Sequence, residues 1–103
     1  MEVRYLEIEF KTNKLKKQCT VYSISVKEYG KNRADKIAQR MNELQASDSV
    51  DELIQYSIGR CHALKGNREG EFAMDLVHPY RLIFEKCNHI VELIRITSIE
   101  DYH

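Results

Sequence analysis

The chain has 103 residues, 43% hydrophobic and 31% charged, with 16 Lys or Arg balanced by 16 Asp or Glu. This is ordinary globular composition for one domain spanning residues 1–103, and it excludes disorder and a second core. Three cysteines (Cys19, Cys61 and Cys87) are too few for a disulfide framework. The start lacks a signal-peptide pattern, and no apolar run approaches the about 18 residues of a membrane helix. The expected place of the protein is the cytoplasm.

Leu6, Ile8 and Phe10 alternate with polar residues and predict an opening strand. Asn13 is placed to cap a helix beginning near Lys14. Leu15, Cys19, Tyr22 and Val26 carry its apolar stripe, Gly30 stops it, and Thr20 with Ser23 to Ser25 weakens its middle. Ala34, Ile37, Ala38, Met41 and Leu44 form a second helical stripe, with Arg33, Lys36, Arg40 and Glu43 on other faces. Ser49 to Glu52 reads as a capping box before a short helix that Gly59 ends.

The period then changes to two. Cys61 to Leu64 is a short strand, and Lys65 to Gly70 a turn-rich loop. Phe72, Met74 and Leu76 alternate, His78-Pro79-Tyr80 turns the chain, and Leu82 and Phe84 alternate again. Lys86 to His89 is a second turn before a strand from Ile90 to Ile96. Helices first and strands later predict an α+β fold. The N-terminal strand and helices would pack on a mainly antiparallel sheet.

Charge is segregated along the chain. Residues 11–45 carry nine Lys or Arg against three Asp or Glu, and residues 46–103 carry six against ten. A basic helical region beside an acidic remainder suits an RNA or ribosome contact, although for the charges alone a solvated helix face is the favoured reading.

There is no Gly-rich phosphate loop, no HExxH and no paired CxxC. No metal or cofactor is expected, because the Cys and His residues do not fall at metal-ligand spacings. Cys61-His62 is a poor nucleophile pair, since adjacent strand residues point to opposite faces. The remaining candidates are His62, Lys65, Arg68, Arg81, Asp101, Tyr102 and His103. RNA cleavage through the 2′-hydroxyl needs a base, cations for the phosphorane and an acid for the 5′-oxygen. His serves either proton role, Lys and Arg supply fixed charge, and Tyr offers a stacking face.

Three segments carry a family likeness: Gly59 to Phe72 with its Leu64-Lys65-Gly66 loop, Asp75 to Phe84 with Arg81-Leu82-Ile83-Phe84, and the closing Glu100-Asp101-Tyr102-His103. Together they resemble the HigB-like branch of the RelE/ParE superfamily of bacterial toxins. The resemblance covers essentially the whole chain. It implies a ribosome-dependent endoribonuclease that cuts mRNA without metal and leaves a 2′,3′-cyclic phosphate. It also implies that His62, Lys65, Arg81, Asp101, Tyr102 and His103 match the family's active-site positions, with Arg68 as a further RNA contact. The implied partners are the ribosome and mRNA, a helix-turn-helix antitoxin of the HigA kind and, through it, operator DNA. One departure is charge: such toxins are commonly strongly basic, whereas pI here is near 6.9. Two alternatives stand beside this expectation. One is a ParE-like toxin that binds a protein target such as DNA gyrase, and the other is an inactive antitoxin-binding module.

Overall fold

A computed structural model describes residues 6–88 and 92–102. Strand β1 (Glu7–Phe10) leads into helices α1 (Asn13–Thr20), α2 (Tyr22–Tyr29), α3 (Lys31–Ala46) and α4 (Val50–Gln55). Strands β2 (His62–Ala63), β3 (Glu71–Asp75), β4 (Tyr80–Asn88) and β5 (Leu93–Asp101) follow, with short 3-10 turns at Ile58–Arg60 and Gly66–Arg68. The five strands make one sheet in the order β1-β5-β4-β3-β2. The last four form an antiparallel meander, and β1 adds parallel to β5. The fold is therefore α+β, as the pattern predicts.

The helical half follows the apolar spacing, with local differences that have physical causes. The helix start falls to Thr12, not Asn13. The Leu15 N–H donates to Thr12 Oγ1 at 3.1 Å, and Thr12 holds the extended backbone a cap needs. The long stripe from Leu15 to Val26 is broken at Val21. There the Thr20 hydroxyl donates back to the Lys16 carbonyl, and Val21 turns extended. Gly30 joins α2 to α3 at φ 84°, a backbone that glycine adopts without Cβ strain. The capping box is half formed. Ser49 accepts from the Glu52 N–H at 3.1 Å, while the Glu52 carboxylate takes the Asp48 N–H instead of that of Ser49.

The core lies between the helices and one face of the sheet. Ile37, Met41, Leu44, Val50 and Leu53 meet Met74, Leu82, Phe84, Ile94 and Ile96, all at most 5% exposed. Phe72 and Phe84 stack with ring centroids 5.4 Å apart. The alternation of β5 changes phase once. Ile96 stands opposite Phe84 and Ser98 opposite Ile83, so Thr97 is an extra residue. Its hydroxyl donates to the Ile83 carbonyl at 3.3 Å, giving that acceptor a partner at the bulge. The bulge returns Ile99 to the core side after Ile94 and Ile96. Two strand boundaries also move. β4 continues through Asn88, where the sequence suggests a turn, and β5 runs from Leu93 to Asp101. The expected strand start at Ile90 lies outside the described residues. Among the described residues, no helix is long and apolar enough to cross a membrane.

Arg40 departs furthest from its expected place on a solvated helix face. It is 8% exposed; its Nε donates to the Asp75 carbonyl at 2.7 Å, and an Nη pairs with Glu43 at 2.7 Å. Gly59 passes beside this guanidinium at φ 59°, and a Cβ there would sit 2.7 Å from Arg40 Nε. Left-handed backbone and a blocked Cβ act together, so Gly59→Ala is expected to cost about 1–3 kcal/mol. Urea unfolding of the two chains measures it, and an unchanged midpoint would show that neither constraint matters.

Candidate functional site

The sheet face turned away from the helices carries the polar side chains, and strand pairing sorts them into rows. Asp75, Arg81 and Glu100 stand side by side on β3, β4 and β5. His62, Ala73, Ile83 and Ser98 form the next row, with Ala73 and Ile83 fully buried. Glu71, Glu85, Arg95 and Glu9 form the third, where Arg95 pairs with Glu9 at 2.8 Å and Glu85 at 3.0 Å.

Arg68 reaches from the turn before β3 across this face. Its guanidinium donates to both Glu71 oxygens at 3.0 Å and to both Glu100 oxygens at 2.8 and 2.6 Å. Two forked pairs of this kind are strong and geometrically fixed. Arg81 approaches the same Glu100 carboxylate at 3.5 Å. The Arg81 guanidinium also lies 4.0 Å from the centre of the Tyr102 ring, as cation–π attraction favours. Arg81 is only 14% exposed, and its buried Nε has no hydrogen-bond partner among the described residues. The hydrogen bonds from Arg68 hold Glu71 and Glu100 below the usual carboxylate range, against a smaller opposing effect of burial. In return the two carboxylates push the Arg68 guanidinium up.

The sequence candidates are brought together unequally. Arg68, Arg81 and Tyr102 converge. Tyr102 is tied down by its N–H, which donates to the Pro79 carbonyl at 2.9 Å, so the chain is held in place through this residue. His62 shares the face but stands two strands from β4, about 10 Å away at ordinary strand spacing. Its Nδ1 lies 2.7 Å from the Arg60 carbonyl, which can only accept. Nδ1 therefore carries a hydrogen, and Nε2 is the lone-pair nitrogen of the neutral ring. Lys65 is exposed in the loop beside the Glu71 end of β3, at the opposite end of that strand from the Asp75–Arg81 pair. Asp101 pairs with Tyr80, which places it one position out of phase with Arg81 and Glu100. His103 lies outside the described residues.

Cys61 faces the core, where burial pushes its thiol up to about 12, so Cys61 and His62 do not form a nucleophile pair. Glu71 and Glu100 are the residues that sequence reasoning missed. A recess of about 180 Å³ beside Tyr102 is lined by Arg60, Asp75, His78, Pro79 and Tyr80. Arg60 pairs with Asp75 at 2.8 Å at its edge.

The carboxylates of the cluster give stability a pH dependence of definite sign. In the unfolded chain Glu71 and Glu100 take up protons near 4.5; in the fold they do so only at lower pH. Their contribution is complete above that range and is lost as pH falls through the folded values. Urea midpoints are expected to decline below about pH 4.5, and less steeply when both glutamates are replaced by Gln. Equal slopes in the two chains would show that the cluster does not contribute.

A scan of protein-family models finds no match to this chain, and a search of curated proteins finds none either. Solved structures do match. A YoeB/ParE toxin from Agrobacterium tumefaciens superimposes with TM-score 0.64 at 9% identity, covering 95% of this chain and 100% of that one. The YoeB-YefM complex from Staphylococcus aureus matches with TM-score 0.60 at 21% identity, covering 95% and 97%. A heterotetrameric YoeB-YefM toxin-antitoxin complex from the same organism matches with TM-score 0.53 at 22% identity over the same shares. Over 95% of its length, then, this chain shares its fold with a YoeB/ParE toxin.

Proposed function

We propose that this protein is the toxin of a bacterial toxin–antitoxin pair and acts as a ribosome-dependent mRNA endoribonuclease of the HigB-like kind. The reading is carried by the meeting of Arg81, Tyr102 and Arg68 on one exposed sheet face, within a fold shared with toxins. An RNA phosphodiester laid across this face would take its positive contacts from Arg81, Arg68 and Lys65, and Tyr102 would stack against a base. His62 Nε2 suits removal of the 2′-hydroxyl proton; the resemblance also implies Asp101 for this role, but its strand phase turns it away from the face of Arg81. His103 suits protonation of the leaving 5′-oxygen. Attack by the substrate's own 2′-oxygen on phosphorus breaks the bond to that 5′-oxygen and leaves a 2′,3′-cyclic phosphate, with no metal required. The protein would act in the cytoplasm. Its partner would be an antitoxin, by analogy with the toxin–antitoxin complexes among the structural matches, and the sequence resemblance implies one of the helix-turn-helix HigA kind that also holds operator DNA.

One observation favours a second reading. Glu71 and Glu100 neutralise the arginines, and a face without net positive charge suits a ParE-like toxin with a protein target, or an antitoxin-binding module, better than a nuclease.

Induced expression without a partner separates the two. The nuclease reading expects growth arrest, loss of methionine incorporation and new mRNA ends within translated codons. Arg81→Ala and Lys65→Ala are expected to lower cleavage on programmed ribosomes about a hundredfold or more while keeping a cooperative thermal melt. Arrest without new mRNA ends would support the protein-target reading. Products bearing a 3′-hydroxyl and a 5′-phosphate would exclude the 2′-hydroxyl mechanism.

A further inference from the structure

We propose that Glu100 is a built-in counter-anion, its carboxylate occupying the place between Arg68 and Arg81 that an RNA phosphodiester would take. The proposal rests on the nuclease reading for the identity of the competing ligand, and it adds a residue that decides which anions the site accepts.

The geometry is that of an occupied anion site. Glu100 Oε1 accepts from Arg68 at 2.8 Å and faces Arg81 at 3.5 Å, and Oε2 accepts from Arg68 at 2.6 Å. Carboxylates and phosphates engage guanidinium forks in the same planar, two-oxygen manner. The two arginines differ in what is left over. Arg68 already spends its Nε and both Nη groups on Glu71 and Glu100. Arg81 keeps a buried Nε without a partner among the described residues, so the carboxylate satisfies it only in part. A tetrahedral phosphate has oxygens in more directions and can meet that nitrogen as well. The Ser98 hydroxyl donates to the same Oε2 at 3.3 Å and helps to hold the carboxylate in this place.

Exchange of one carboxylate for one free phosphate gains little. An RNA strand gains more, because Tyr102 and Lys65 add contacts that a lone ion cannot make. Glu100 therefore acts as a positioning and selectivity residue: it holds the arginines apart from small anions and yields to a polyanion.

The test uses the full chain and inorganic phosphate, followed by NMR through the Nε–H signals of the arginines. In the wild type, millimolar phosphate is expected to leave the Arg81 signal unmoved. In Glu100→Gln, which keeps the shape and removes the charge, the signal should shift with an affinity at least about tenfold tighter. Glu100→Asp should restore the wild-type response, which a purely structural role would not require. Glu71→Gln, which frees only Arg68, should leave the Arg81 signal unmoved. A Glu100→Gln chain that binds phosphate no more tightly than the wild type overturns the proposal. If that variant fails to fold, the wild type decides, because saturation of its Arg81 signal by millimolar phosphate overturns the proposal equally. The readout is independent of cleavage. A chain that shows these shifts yet cuts no mRNA would refute the nuclease reading and leave the anion competition standing. A cutting chain without the shifts would refute Glu100 alone.

Discussion

The extra residue at Thr97 sets which side chains of β5 face the helices and which face the arginines. In a regular strand of the same sequence, with no residue bulged out, Glu100 would fall in phase with Leu82 and Phe84, and a carboxylate would enter an apolar layer. With the bulge, Ile99 returns to the core, and Glu100 and the following Tyr102 come to the side of Arg81. A bulge normally leaves backbone groups unpaired, but the Thr97 hydroxyl supplies a donor to the Ile83 carbonyl. The polar face, its ion pairs and its aromatic contact all depend on this one-residue shift in phase.

The same face shows how a chain without net charge can hold a concentrated electrostatic site. Arg68 and Arg81 bring two positive charges, and Glu71 and Glu100 return two negative ones within 3.5 Å. Such an arrangement is strong in geometry and weak in long-range field, so it does not steer a distant polyanion. The longer-range positive field comes from the basic helical half, where Lys14, Lys16 and Lys17 on α1 and Lys31 on α3 are exposed. The charge segregation visible along the sequence thus maps onto two structural layers.

Much of this was legible in the sequence. Periods of two and of about three and a half separated strands from helices. The alternation of Arg81 with Leu82 and Phe84 is enough by itself to place Arg81 off the core. The phase change was also written there, since Ile94, Ile96 and Ile99 cannot all lie on one face of a regular strand. Reading it through would have put Glu100 beside Arg81. Other features were not legible, because they depend on contacts across the fold. Arg40 was read as a surface charge, yet it is buried because the Asp75 carbonyl and Gly59 meet it from distant parts of the chain. The parallel pairing of β1 with β5 has no local signature. The forked contacts of Arg68 with Glu100 needed the strand register that only the assembled sheet supplies.

That parallel pairing has a consequence for how the protein is made. Among the described residues β1 pairs with β5 alone, Glu7 standing beside Leu93. The first strand emerges early in synthesis and has no ladder to join until nearly the whole domain has been translated. Closure of so long a loop gives the fold a high contact order, which slows folding. A nascent chain still short of β5 lacks Glu100 and Tyr102 as well as the partner of β1. The sheet and the arginine face are therefore completed together, once β5 has been made.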